Sequence, residues 1–298
     1  MKKRVYLFFL VFSSITISYA QEWFTDFDIA KRLALLEDKM LLVMWEGTLD
    51  YQYPVMLVSE QNVPIYIDLN ESDEVNSIIW EGFVPVLLPE SSYLDLYNEA
   101  KKTRSIKYLD KLKDDSIKIM DANGNILNIE SSNVQVQNIS LILEKYALDT
   151  SFMENELYNY LDEINITTAF NLASKYLYFS IYVPKEVREE IIELANIYFN
   201  ESEQFLNESD INNKSGFSQR LDLIIIEQQL ILNKPYKARR QLKRIDEDEI
   251  DLTNQVLYNF LNYMTFKLLK DEEKAGLWET KLSVTNLKKA VLIINNNL

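Results

Sequence analysis

The sequence predicts an α/β region followed by an all-α region of helical hairpins. Between residues 21 and 148, short runs rich in β-branched and aromatic residues alternate with helical patterns, which is typical of an α/β sandwich. From residue 149 to residue 298, apolar residues recur at helical spacing with short polar breaks, and no convincing strand pattern occurs. We therefore expect two domains, 21–148 and 149–298, after a signal peptide at 1–20.

The first twenty residues have the pattern of a secretory signal peptide. Residues 1–4 include three basic side chains, residues 5–17 are nearly all apolar, and Ser18 and Ala20 supply the small residues of a cleavage site. The apolar run is too short to cross about 30 Å of bilayer as a permanent helix, and no later window is apolar enough. We expect cleavage after Ala20, a secreted or periplasmic chain and no transmembrane helix after cleavage; an uncleaved anchor is the alternative.

Composition excludes several classes of chemistry and of partner. The 298 residues include neither cysteine nor histidine, so disulfide exchange, Ser-His-Asp hydrolysis and zinc or haem sites on these side chains are excluded. We expect no cofactor. The formal net charge is −15, and loss of the three basic residues at 2–4 would make it −18. A polyanion repels nucleic acid and anionic lipid, so we expect neither as a partner.

The elements of the α/β region follow in order along the chain. A helix is predicted over residues 26–39, where Phe27, Ala30 and Leu33 fall near one face. An apolar strand follows at 40–45, and two β-rich runs joined by polar residues indicate a hairpin at 54–69. The remaining pattern predicts a helix at 73–80, a strand at 83–88, a long charged helix at 93–112, strands at 116–120 and 125–129 around the turn Asp121-Ala-Asn-Gly124, and a helix at 134–148.

The second region is predicted to contain seven helices, at 154–163, 168–182, 185–207, 217–233, 236–245, 252–270 and 272–294. Pro184 and Pro235 lie near helix N-termini, where a missing N–H costs little, and residues 207–215 are predicted as a surface loop. Residues 232–238 and 269–275 are similar and lie at the same point between two helices. This resembles the inter-helix turn of tetratricopeptide repeats, whose period is about 34 residues. An irregular helical bundle is the alternative.

Four segments of the first region together resemble the secreted thioredoxin-like proteins. They are residues 23–30 (WFTDFDIA), 38–45 (DKMLLVMW), 73–85 (DEVNSIIWEGFVP) and 117–127 (IKIMDANGNIL). In that family these pieces are a helix that leads to a central strand, an active-site loop, a helix followed by a strand, and a hairpin. The resemblance covers residues 23–146 and implies a thioredoxin-like fold for the α/β region.

The resemblance also implies that the family's functional positions are degenerate here. The redox cysteine pair would fall near Leu49 and Gln52, and neither side chain can form a thiolate. The family's cis-proline would fall at Asp115 or Ser116, where a non-proline cis bond would cost about 2.5 to 4 kcal/mol, so we expect a trans peptide. The runs that predict the hairpin at 54–69 replace the family's active-site helix, whose N-terminus lowers the thiol pKa. We therefore expect no catalytic residue, and the hairpin is a place to seek another function.

Three acidic clusters are candidate sites. Residues 246–249 (DEDE) have oxygen ligands for a hard cation but lack the spacing of a calcium loop, which favours a solvated loop or helix start. Residues 121–124 have calcium-like side chains, and a hairpin turn explains them. The third cluster comprises Asp68, Glu71, Asp73 and Glu74. Two of its carboxyl groups could act as general acid and base, as in sugar hydrolysis. Its position at a helix start favours the interpretation that the negative charges interact with the helix dipole.

Tyrosines are abundant in the predicted helices. Their amphipathic rings could line a recognition groove, but packing between helices with the hydroxyl at the rim is the favoured interpretation. The six are Tyr158, Tyr160, Tyr176, Tyr178, Tyr182 and Tyr198.

These observations favour a non-catalytic protein-interaction or scaffold module with a protein partner. One alternative is a chaperone-like holdase that binds unfolded secreted chains through the helical region. The other is a carboxylate-based hydrolase that acts on carbohydrate or peptide in a cleft between the two regions.

Overall fold

The structure, a computed structural model, describes residues 22–130, 136–209 and 213–297. The predicted signal peptide at 1–20 and its cleavage site lie outside these residues, as do residues 131–135 and residues 210–212 of the predicted loop. Within the described ranges, no helix has both the length and the apolar character that crossing a bilayer requires.

The α/β region is built on a three-stranded sheet of order β4-β1-β5. The central strand β1 (Met40–Trp45) is parallel to β4 (Phe83–Leu88) and antiparallel to β5 (Lys118–Met120). The first five residues of β1 are all buried, as expected of a strand covered on both faces. Single bridges extend the sheet at both ends, because Phe24 pairs with Val86 and Ile126 pairs with Met120.

The predicted hairpin at 54–69 is present and belongs to a second, smaller sheet. Strands β2 (Pro54–Val58) and β3 (Pro64–Asp68) are antiparallel, and β6 (Gln137–Asn138) runs parallel to β2. Asn62 adopts a φ of 59° in the turn, where its N–H donates to the carbonyl oxygen of Ser59 at 2.9 Å. Asparagine tolerates this left-handed conformation better than most residues.

Five helices of the α/β region are described: α1 (Phe27–Leu36), α2 (Asp73–Gly82), α3 (Glu90–Ala100), α4 (Ile106–Lys113) and α5 (Ile139–Tyr146). The prediction of one helix over 93–112 is wrong, because Ser105 caps a new helix by accepting the N–H of Tyr108. The helix expected from residue 134 begins instead at Ile139. There, Asn138 caps the helix by accepting the N–H of Leu141.

The turn at 121–124 forms as predicted, but the strand after it is short. Gly124 has a φ of 87°, a conformation that favours glycine, and its N–H donates to the carbonyl oxygen of Asp121 at 2.9 Å. The strand expected at 125–129 is reduced to the bridge at Ile126. Beyond it, the N–H of Leu127 donates to the carbonyl oxygen of Ile119 at 2.8 Å. The side chain of Asn128 continues the contact, since it accepts from the N–H of Ile119 at 2.7 Å and donates to the carbonyl oxygen of Ile117 at 3.0 Å.

The described residues of the second region are mostly helical and include no strand, as predicted. Its α-helices are α6 (Glu154–Asp162), α7 (Ile166–Phe179), α8 (Lys185–Glu208), α9 (Lys214–Ile231), α10 (Pro235–Leu242), α11 (Gln255–Leu268), α12 (Glu272–Glu279) and α13 (Val284–Asn295). The prediction of one helix over 272–294 is wrong. Ser283 accepts the N–H of Asn286 and starts a separate helix, so the chain turns at 280–283.

The two similar segments of the helical region adopt the same turn. Asn233 follows α9 with a φ of 54°, and Lys270 follows α11 with a φ of 59°. In each turn the N–H of the next residue donates to the carbonyl oxygen five positions earlier. Lys234 donates to Gln229 at 2.7 Å, and Asp271 donates to Phe266 at 2.9 Å. This is the Schellman pattern of a helix C-terminus. The sequence similarity therefore corresponds to two helical hairpins with matching turns.

One continuous cluster of buried apolar side chains extends through both regions. It includes residues of the central sheet such as Met40 and Ile119, and residues of the helical region such as Ile191 and Met264. The backbone joins the regions as well, because the N–H of Thr150 donates to the carbonyl oxygen of Asp38 at 2.9 Å. The helical region thus packs directly on the α/β region.

Candidate functional site

A groove of about 460 Å³ opens at the edge of the central sheet where β1 and β4 end and β5 begins. Trp45 is the last residue of β1, Glu90 follows β4, and Asp114 and Asp115 precede β5. Helix α3 supplies one wall. Loops at the carboxyl ends of parallel strands are the usual location of ligand sites in α/β sheets. We call this groove the aromatic–acidic cleft.

Three aromatic side chains line the aromatic–acidic cleft. Tyr93 and Tyr97 lie four residues apart on α3 and therefore share one face of that helix. Trp45 is 37% exposed. A Cβ atom on Gly47 would lie 2.6 Å from Cζ2 of Trp45, so the backbone at Gly47 packs directly on the indole ring. The glycine is required for this contact, which holds the tryptophan in a defined orientation.

Two lysines compensate the charge of Asp114 from inside the protein. Lys118 is fully buried, its Nζ lies 3.2 Å from Oδ1 of Asp114, and it sits 5.2 Å from the ring centroid of Tyr93. Lys111 Nζ lies 3.8 Å from Oδ2 of Asp114. Burial lowers the pKa of Lys118 to about 8, although Asp114 acts in the opposite direction. Burial raises the pKa of Asp114, but the hydrogen bond from Ser116 and the two lysines outweigh burial and lower it overall.

The other carboxylates of the aromatic–acidic cleft are compensated less directly, because Glu90 lies in the first turn of α3 and Asp115 acts on Lys118 only through its charge. Glu90 and Asp115 are exposed, and neither forms an ion pair with any described residue. The hydroxyl of Tyr93 is shielded from solvent and has no hydrogen-bond partner within the described ranges. Burial, with the charges of Asp115 and Asp114, raises the pKa of the neighbouring Tyr53 to about 12. The cleft therefore presents exposed carboxylates beside neutral aromatic rings.

The four degenerate family positions do not form one site. Leu49 lies in a 3-10 turn (Glu46–Asp50) and lines a different depression, with Trp23. Gln52 is exposed after that turn. Asp115 lines the aromatic–acidic cleft, and Ser116 donates to Oδ1 of Asp114 at 2.5 Å. No cis peptide bond occurs in the described residues.

Sequence reasoning missed the two tyrosines of α3. They lay inside a helix that was predicted to be long and charged, where nothing distinguished them from other surface residues. Their signal was the four-residue spacing of Tyr93 and Tyr97, followed at 114–115 by a pair of aspartates just before a strand. Only the return of β5 beside β1 brings these groups to the same edge as Trp45.

The acidic cluster around the start of α2 takes structural roles. Oδ1 of Asp68 accepts the N–H of Tyr53 at 3.3 Å and that of Asn70 at 3.1 Å. Asp73 and Glu74 occupy the first turn of α2, where negative charge favours the helix dipole.

The cluster at 246–249 forms a 3-10 turn (Glu247–Glu249), and Oδ1 of Asp246 accepts the N–H of Asp248 at 3.1 Å. Glu247 lies 3.3 Å from Nζ of Lys281. Within the described ranges, no three acidic side chains converge on a point that could hold a metal ion.

The turn at 121–124 is the centre of a buried network between the two regions. Asp121 is fully buried, and its Oδ1 accepts the backbone N–H groups of Asn123 at 3.0 Å and Asn125 at 2.9 Å. Its Oδ2 accepts the hydroxyls of Tyr176, at 3.2 Å, and Tyr198. Burial raises the pKa of Asp121, while these hydrogen bonds act to lower it. Because the tyrosines belong to α7 and α8, this carboxylate joins the α/β region to the helical region.

A second depression, of about 320 Å³, lies between the two regions. Its lining includes the ion pair of Arg104 and Glu201, whose Nη2 and Oε1 atoms are 2.8 Å apart. Tyr160 donates to the other carboxylate oxygen of Glu201 at 2.6 Å, and Arg104 also donates to Oδ1 of Asn125 at 2.9 Å. Glu201 is thus occupied by structural partners.

The tyrosines divide into two groups. Tyr160, Tyr176 and Tyr198 pack in the interior, and each hydroxyl is hydrogen-bonded to a carboxylate. The prediction that the hydroxyls lie at the rim is wrong for Tyr176 and Tyr198, because both donate to the fully buried Asp121. The other group comprises Tyr158 and Tyr182, which are exposed by 39% and 51%, and the half-buried Tyr178, whose hydroxyl accepts that of Tyr182 at 3.0 Å.

No protein-family model matches the sequence, and comparisons with curated proteins and with solved structures give no match.

Proposed function

We propose that the protein is a non-redox, thioredoxin-like interaction module of a secreted or periplasmic compartment, and that it binds polypeptide segments in the aromatic–acidic cleft. The helical region serves as a repeat-like support that fixes the α/β region. The partner is a protein, and the binding requires no cofactor.

The order of the central sheet supports a thioredoxin-like fold. The family resemblance implies a helix before a central strand, a second helix before a parallel strand, and an antiparallel hairpin. Helix α1 precedes β1, α2 precedes β4, and β5 pairs antiparallel with β1 on its other side. The departure is also clear, because the hairpin of β2 and β3 occupies the chain between β1 and α2.

The observation that carries the proposal is the composition of the cleft at the end of the central strand. In the resembled family this edge holds the redox pair beside the cis-proline, whereas here it holds Trp45, Tyr93 and Tyr97 beside Asp115. A volume of about 460 Å³ lies within the range of ligand sites. Aromatic side chains with a polar end dominate the energetics of protein interfaces. The cleft thus offers aromatic side chains suited to binding at the edge where the resembled family has its redox cysteines.

The proposal is tested by selecting peptides from a random displayed library against the immobilised protein (residues 21–298). The affinities of the selected peptides are then measured by calorimetry. Leu94 lines the cleft and is 59% exposed, so Leu94→Ala leaves folding unchanged and should weaken binding about threefold to tenfold. Tyr97→Ala should weaken it at least about tenfold. The matched control is Tyr236→Ala on α10, a tyrosine that is 77% exposed and lies outside the cleft. Selected peptides whose affinity is unaffected by both cleft variants would refute the proposal.

Redox inactivity is tested separately. In an insulin-reduction assay the protein should give no turbidity above buffer, because no cysteine is present to exchange. Clear turnover would contradict this part of the proposal.

A further inference from the structure

We infer that the aromatic–acidic cleft recognises an arginine side chain of the bound polypeptide. The inference rests on the proposed function, since it names the chemical group that the same cleft selects. Its basis is the juxtaposition of two exposed carboxylates, Glu90 and Asp115, with an aromatic wall on which an ammonium group of the protein already lies.

The carboxylates of the cleft differ in how far they are neutralised. Asp114 has Lys118 and Lys111 behind it, so its charge is already balanced by the protein. Glu90 and Asp115 are exposed and have no ion pair with a described residue. These two side chains come from different elements, one at the start of α3 and one just before β5. A ligand between them therefore meets one exposed carboxylate from each of two directions.

The aromatic wall is suited to a cation. Nζ of Lys113 lies 4.5 Å from the ring centroid of Tyr97, so this ring already holds a positive charge from the protein itself. An ammonium or guanidinium group above an aromatic ring is attracted by the ring quadrupole. Lys113 is the exposed lysine at the rim and competes for the same ring face. A ligand cation must displace it, and removal of Lys113 should therefore strengthen binding.

Guanidinium fits this arrangement better than ammonium. Its planar group can stack on a tyrosine ring while its N–H groups donate to carboxylates at the edge, which an ammonium cannot do at once. Hydrogen bonds between charged groups are also stronger than those between neutral ones. The formal net charge of −15 adds a long-range attraction for any cationic segment. That general attraction has to be separated from recognition in the cleft.

The test compares two fluorescein-labelled hexapeptide pools that are identical except at one central position, which is arginine in one pool and citrulline in the other. Citrulline keeps the shape of arginine and removes its charge. Fluorescence anisotropy with residues 21–298 should show binding at least about tenfold tighter for the arginine pool. Asp115→Asn should weaken the arginine pool about threefold and Glu90→Gln with Asp115→Asn about tenfold, with no effect on the citrulline pool. Lys113→Gln should tighten the arginine pool.

The matched control for net charge is Asp246→Asn, which removes one charge from the exposed turn at 246–249. If it weakens the arginine pool as much as Asp115→Asn, the attraction is general and the inference is overturned. Equal binding of both pools, lost in Tyr97→Ala, overturns the inference and leaves the proposed function intact. If neither pool binds at the cleft, the inference and the proposed function are both overturned. The same holds if the cleft binds an uncharged oligosaccharide and neither peptide pool.

Discussion

The buried contact between Asp121 and Tyr198 should contribute strongly to stability. The hydroxyl of Tyr198 donates to Oδ2 of Asp121 and accepts from the side-chain amides of Asn123 and Asn125, at 3.0 Å each. Its ring stacks on that of Tyr176, with centroids 5.6 Å apart and planes inclined by 7°. Tyr198→Phe keeps the ring and removes only the oxygen. The variant therefore isolates the polar junction between the two regions.

The magnitude follows from what the missing oxygen leaves behind. A hydrogen bond to a charged group contributes about 1.5 to 3 kcal/mol, and a buried donor without an acceptor costs about 1 to 3 kcal/mol. Asn125 is buried, whereas Asn123 is partly exposed and can turn to water. We therefore expect Tyr198→Phe to lower the free energy of unfolding by about 2 to 4 kcal/mol, a large part of the 5 to 15 kcal/mol typical of a folded protein.

Urea unfolding measures this change. Tryptophan fluorescence reports mainly on the α/β region, which holds Trp23, Trp45 and Trp80, although Trp278 in α12 also contributes. Far-UV circular dichroism reports mainly on the helical region. The wild-type transitions should coincide, because the two regions share one apolar core. The control is Tyr182→Phe, which removes an exposed hydroxyl that contacts Tyr178 at 3.0 Å and should change stability by less than about 0.5 kcal/mol. A Tyr198→Phe protein as stable as this control would refute the role given to the network.

Three further predictions follow from single residues. Because burial raises the pKa of Asp121, its contribution to stability is greatest below the ordinary pKa of 3.8 and is lost as pH rises through the raised value. The stability of the wild type relative to Asp121→Asn, measured in urea, should thus increase as the pH is lowered from neutral toward the ordinary pKa of 3.8, and a constant difference would contradict the shift. Gly276→Ala, at a position in α12 with no neighbouring atom within 4 Å, should raise the free energy of unfolding by about 0.5 to 1 kcal/mol; a loss of stability would mean that the site is not open. Gly47→Ala should displace the indole of Trp45, change its fluorescence spectrum and weaken peptide binding without lowering helix content, and an unchanged spectrum would count against the packing described.

The sequence predicted elements where periodicity and local chemistry agree. The apolar run at 40–45 became the buried strand β1, and the helical pattern beginning at residue 26 became α1, which Asp26 caps. The broken helices were missed for a local reason. Ser105 and Ser283 each start a new helix by capping, but the residues on either side are compatible with one continuous helix.

The site was less accessible to sequence reasoning, because its residues come from three separate segments. Trp45, Tyr97 and Asp115 meet only when β1, α3 and β5 are arranged around the sheet. The buried network was missed for a similar reason. Asp121 satisfies the pattern of a turn residue, and nothing in the sequence shows that its second carboxylate oxygen accepts hydroxyls from two distant helices.

Photo-crosslinking tests the central claim most directly. A selected peptide that carries benzoylphenylalanine is irradiated with residues 21–298, and the attachment points are mapped by mass spectrometry. Our account predicts attachment to α3 or to residues 112–115 at the rim of the aromatic–acidic cleft, and loss of the cross-link when Tyr97 is replaced by alanine. Attachment confined to the hairpin at 54–69 or to the helical region would contradict it.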